Sequence, residues 1–161
     1  MTIEFKEEQQ FTQWWLWLLL LPVGLIPVWA IYNQVFREGA SGNSPLSNIG
    51  LILLSIFVFS LIAIFRFIKL KTEIDQNEIR INFFPIIKKS VSWEEVKKAE
   101  VVDYGFVGGW GIRLWTAYGT VYNIKGSKGL AIELISGKKI LIGTQKEAEL
   151  KRIVAAARSH Y

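Results

Sequence analysis

The stretch Asn48-Ile49-Gly50-Leu51-Ile52-Leu53-Leu54-Ser55-Ile56-Phe57-Val58-Phe59-Ser60-Leu61-Ile62-Ala63-Ile64-Phe65-Arg66-Phe67-Ile68-Lys69-Leu70-Lys71-Thr72-Glu73-Ile74-Asp75 passes from one solvent to another without a linker. From Ile49 to Phe65 the residues are almost continuously apolar and carry no charge, and Arg66 ends the run. A helix needs roughly 20 residues to cross a hydrocarbon core about 30 Å thick, so this part reads as a membrane span. From Ile68 to Asp75 apolar and polar residues alternate with period two, which predicts a strand with one buried face.

Upstream, Gln9 to Phe36 is an uncharged run of 28 residues, long enough for a second span. Trp14, Trp15 and Trp17 crowd one end and Trp29 and Tyr32 approach the other, as interfacial aromatic anchors do. Pro22 and Pro27 fall inside and each removes a backbone donor, so a bent or locally loosened helix is expected. Between the runs, Arg37 to Ser47 holds Gly39, Gly42, Asn43, Ser44 and Pro45, turn formers that predict a short loop and an antiparallel helical hairpin. The hairpin is placed at 14–68, with spans at about 14–36 and 48–68 and the loop at 37–47. Ser55 and Ser60 are candidates for bonding across to the first helix. No charged residue lies between Glu8 and Arg37 or between Glu38 and Arg66, so nothing resembles a proton relay or gating charge.

Residues 1–13 are read as an N-terminal interfacial segment, a short helix carrying Phe5 and Phe11 or a frayed end. Glu4, Glu7 and Glu8 make this end acidic, unlike the basic start of a secretory signal, and it is read as retained.

Charge is segregated. Residues 1–65 carry two basic and four acidic side chains, and residues 66–161 carry seventeen and ten, so the formal +5 comes from the second part. On the loop side only Arg37 is basic, whereas Arg66, Lys69 and Lys71, with Lys88 and Lys89 beyond, flank the second span. That asymmetry predicts both termini in the cytoplasm and the loop outside. The lysines are interspersed with acids, which argues against a nucleic-acid partner. The lipid bilayer is the expected partner, together with a protein partner or a second copy of the chain.

After the spans, short alternating segments follow one another: Ile68–Asp75, Glu78–Phe84 across a Gln76-Asn77 turn, Lys88–Trp93, Lys98–Tyr104, Ile112–Trp115, Val121–Ile124, Ala131–Leu134 and Lys138–Ile142. Thr144 and Glu147 have the spacing of a capping box. Leu150, Ile153, Val154 and Ala157 form an apolar stripe on a final helix that can cover the end of a sheet.

Some seven strands and a helix in about a hundred residues resemble the pleckstrin-homology-like (PH-like) barrel. Ser92-Trp93-Glu94-Glu95-Val96, Gly109-Trp110-Gly111-Ile112-Arg113, Gly129-Leu130-Ala131-Ile132-Glu133-Leu134 and Ser136-Gly137-Lys138-Lys139-Ile140-Leu141-Ile142-Gly143-Thr144 carry the likeness, behind a membrane hairpin. The chain is similar to small bacterial membrane proteins that join a two-helix transmembrane hairpin to a C-terminal PH-like domain, here 67–161. The resemblance implies a mainly-β barrel of about seven antiparallel strands capped by a helix, in a multi-pass protein of the bacterial inner membrane. It does not extend to phosphoinositide binding, because Asp75 and Glu78 flank the first hairpin turn where PH domains that bind those lipids place Lys and Arg.

For chemistry the sequence offers little. There is no cysteine, and the single histidine, His160, sits beside the C-terminus, so neither a nucleophile–base pair nor a metal set is assembled. No enzyme activity and no cofactor are expected. The glycine-rich run Gly105–Gly111 lacks the lysine of a phosphate loop and reads as a bulge or tight connection. The candidate membrane-surface or partner contacts are Arg66, Lys69, Lys71, Lys88, Lys89, Trp110, Arg113 and Trp115, the last three in an aromatic cluster with Phe106 and Tyr104. The expected function is a membrane-anchored binding or scaffolding module. The alternative is an accessory or oligomerising subunit of a membrane transport or envelope-stress complex that works through its spans.

Overall fold

The computed structural model describes residues 4–37 and 47–158. Most of the connecting loop expected at 37–47, the first three residues and His160 lie outside the described residues. The described chain forms two compact units, one of residues 12–67 and the other of 4–11 with 68–158.

In the first unit, α1 (Trp14–Tyr32) runs through both prolines and continues into a π-helical turn, Asn33–Arg37. The second helix, α2 (Asn48–Phe67), carries its one basic residue, Arg66, in the last turn. Both are long and apolar enough to cross a membrane, and only 11% of either apolar window is buried. What is buried is a narrow seam: Leu20, Gly24 and Pro27 of α1, and Leu51 and Val58 of α2. Gly24 permits close approach, since a Cβ there would stand 3.0 Å from Ile62 Cδ1. A polar pair, Gln34 Nε2 donating to Asn48 Oδ1 at 2.5 Å, also joins the helices. Ser55 and Ser60 do not bond across. Their hydroxyls donate to the carbonyls of Leu51 and Ile56 in their own helix, because a serine carbonyl partner four residues back is always within reach.

In the second unit, β1 (Phe5–Gln10) precedes the helices, and eight strands follow them. These are β2 (Lys69–Ile74), β3 (Glu78–Phe84), β4 (Ile87–Ser92), β5 (Val96–Asp103), β6 (Gly111–Thr116), β7 (Gly119–Asn123), β8 (Lys128–Leu134) and β9 (Lys139–Gly143), and then comes α3 (Glu147–Arg158). They make two sheets, β1-β2-β3-β4 and β5-β8-β9-β7-β6. The expectation of about seven antiparallel strands is corrected twice: there are nine strands among the described residues, and β7 pairs with β9 in parallel. The parallel pair forms because β8 turns back beside β5 and leaves β9 next to β7.

The interfacial helix expected at 1–13 is also corrected. Phe5–Gln10 is a strand, antiparallel to β2, with Gln10 opposite Lys69. Its inward residues are Phe5, Glu7 and Gln9, so the period of two is hidden by polar side chains on the buried face. The capping box is replaced as well. Thr144 Oγ1 accepts from Lys146 N and donates to Glu7 Oε2, while Gln145 N donates to Glu7 Oε1 at 2.7 Å. The carboxylate that serves this helix start therefore comes from β1, and Glu147 instead pairs with Lys151. Leu150, Val154 and Ala157 are buried as the stripe predicts, and α3 packs against β5, β1 and β8.

Candidate functional site

The candidate residues fall into three groups. Arg66 lies exposed in the last turn of α2. One residue separates that helix from β2, where Lys69 and Lys71 point outward on alternate positions.

Those two lysines are not free cations. Glu8 of β1 bridges them, with Lys69 Nζ at 2.8 Å and Lys71 Nζ at 3.1 Å. The hydrogen bonds from Lys69, then Gln10 and Lys71, hold the Glu8 carboxyl well below the usual range, at about 2. Arg80 is engaged in the same way by Asp75, Glu78 and Glu73 at 2.9, 2.9 and 3.3 Å. Asp75 is lowered mainly by the backbone N–H groups of Asn77 and Glu78 at the first hairpin turn. Lys71 and Lys88 lie in one cross-strand row on either side of Asn82, along a depression of about 380 Å³ that Glu73 and Arg80 also line. The outer face of this sheet is consequently a mosaic of paired charges, each pair solvent-screened and of small individual worth.

Lys88 and Lys89 are different. Neither is in an ion pair among the described residues. Lys89 lies opposite Ile81 in the register, half-buried, and lines a second depression of about 360 Å³ with Leu114, Trp115, Thr120, Lys138 and Lys139.

The aromatic cluster is divided by the fold. Tyr104 is buried and donates its hydroxyl to Gly126 O at 3.2 Å while Asn123 Nδ2 donates to it. Burial raises its pKa above the ordinary phenol value. Phe106 and Trp110 meet edge to face at 6.4 Å between centroids. Arg113 packs its guanidinium onto Gly109, whose φ of 128° and lack of a Cβ make that approach possible. Its buried Nε makes no hydrogen bond. The glycine-rich run leads into strand β6, not a helix.

Trp115 stands apart at 94% exposure. Between the pairs Arg113↔Val121 and Thr116↔Gly119, two residues of β6 oppose one of β7, which is a β-bulge at Leu114–Trp115. The bulge gives Trp115 a φ of 56° and turns it outward. Sequence reasoning singled out Trp115 but not Leu114, Lys138, Lys139, Glu7 or Glu8. Phe5 and Phe11, at matching parity around Glu7 and Gln9, were the available signal for β1.

No protein-family model matches this chain, and no curated protein is significantly similar to it.

Proposed function

We propose that this protein is a two-span protein of the bacterial inner membrane whose sheet unit is a PH-like binding or scaffolding module held at the cytoplasmic surface. The observation that carries this reading is the way the hairpin is inserted. Gln10 and Lys69 are register partners in neighbouring strands, and from them the chain reaches α1 through three residues and returns from α2 through one. A sheet joined to two apolar helices by two such short connections has little freedom to leave a bilayer that holds the helices. The PH-like reading is supported by the run of antiparallel hairpins closed by an amphipathic helix, and the added β1 and the parallel β7–β9 pair are departures from it.

Alkaline carbonate extraction of native membranes tests the anchoring, with the chain expected in the pellet. A cytoplasmic reporter fused after Tyr161 is expected to be active, and a silent one would reverse the topology. Crosslinking in native membranes distinguishes the module from the alternative. Partners joined through the sheet unit support the module, whereas contacts confined to the exposed faces of α1 and α2 support the oligomerising subunit.

A further inference from the structure

The bulged end of the β6–β7 hairpin has an apolar tip and a basic surround with no internal use. Trp115 has no hydrogen bond or ring contact among the described residues, and beside it Leu114 is 52% exposed. A bulky side chain at positive φ is strained, and such strain persists only where the surrounding structure or a function holds it. Here the fold gains no packing in return.

The depression next to the tip is lined by Lys89, Lys138 and Lys139 and by no carboxylate. Lys89 and Lys138 are outside any ion pair among the described residues. Lys139 faces Glu133 across the β8–β9 register, but that carboxylate is already bound by Lys97 at 2.9 Å. The three amines are thus available to an external anion. The depression is open, without the enclosing walls that a small ligand needs.

We propose that this tip is a bilayer contact, in which Leu114 and Trp115 enter the headgroup region of an anionic phospholipid membrane while Lys89, Lys138 and Lys139 face its phosphates. The inference rests on the membrane-anchored reading above. Two kinds of chemistry converge on that occupant: the indole, with an apolar body and a polar N–H, favours the membrane–water interface, and lysines with long apolar stems reach from it toward anionic headgroups. An aqueous acidic peptide would meet the lysines but would leave an exposed indole and leucine without a reason.

The chain has no cysteine, so Leu114→Cys provides a single attachment point for a fluorophore in the full-length protein. The labelled chain is reconstituted into nanodiscs of phosphatidylcholine, with or without phosphatidylglycerol, that carry a headgroup quencher. Quenching should be stronger on the anionic discs, since each basic residue near an anionic surface contributes about fivefold in binding. It should return to the neutral-disc level in Lys89→Glu/Lys138→Glu. Trp115→Gly should weaken it while thermal unfolding shows the fold intact.

Quenching that is absent, or equal on the two lipids, would overturn the contact. A label shielded only in native membranes that contain other proteins would overturn it in favour of a protein partner. Failure of the chain to incorporate into discs would bring down the anchored reading itself, whereas incorporation with an unquenched label removes the docking alone.

Discussion

β1 and β6 each end a sheet, and each inverts the usual placement of polar and apolar residues. β1 turns Glu7 and Gln9 into the core, and β6 turns Trp115 out into solvent. The difference lies in compensation. The inward groups of β1 are answered from within the fold, Glu7 by Thr144 and Gln145 and Gln9 Nε2 by Gly143 O at 2.7 Å, with Gln9 Oε1 alone left without a partner among the described residues. Trp115 receives no such answer, so its compensation has to come from outside. An inverted residue with internal partners points to architecture, and one without them points to a surface in use.

Glu7→Ala gives the strongest test of the β1 half of that contrast. It strands the Thr144 hydroxyl and the Gln145 N–H and should destabilise the sheet unit by roughly 2–3 kcal/mol, read as a lowered thermal midpoint in detergent. Glu7→Gln keeps one acceptor and should cost about half as much. A null result with Glu7→Ala would remove β1 from the architecture.

On the β6 side, Gly119→Ala should come next, at roughly 2 kcal/mol. Gly119 sits at φ 71°, and a Cβ there would collide with the Lys139 carbonyl that flanks the bulge. Protease protection of the β6–β7 hairpin would report the loss.

Glu8 gives a smaller effect with a defined pH window. Its folded carboxyl titrates at about 2 against an ordinary 4.5, so its stabilisation is complete above the ordinary value and disappears as pH falls toward 2. Because the pairs are exposed, the contribution stays below about 1 kcal/mol. Glu8→Gln should flatten that acid limb in a pH series of unfolding midpoints, and it should also free Lys69 and Lys71 as cations. The smallest change in stability is expected for Trp115→Gly, within about 1 kcal/mol of the parent chain, since it removes strain but no packing. A large loss there would mean that the indole is architectural after all.

Much of this molecule was readable in advance where a single physical rule governs a segment. The two apolar helices, long enough to cross a membrane, are legible because each is a long uncharged run, and β2 and β3 are legible because Leu70, Ile74, Ile79, Ile81 and Phe83 alternate with polar residues. β1 was hidden because its buried face is mostly polar, and such a strand can be recognised only once its distant hydrogen-bond partners are known. The candidate site divided along the same line. Lys69 and Lys71 look like a basic flank until Glu8, some sixty residues away, is brought beside them, whereas Lys89 becomes part of a site only when β4 meets the β6–β7 hairpin and β9.

By itself the sequence determined the two apolar helices, the junction without a linker at Ile68, most strand positions and the buried stripe of α3, because each follows from local periodicity or length. Only the tertiary structure decided that the N-terminal residues form an edge strand of the first sheet, that β9 runs parallel to β7, which lysines are neutralised and which remain free, and that a bulge sets Trp115 outward. These depend on side chains far apart in sequence coming within a few ångströms, and no local pattern encodes that distance.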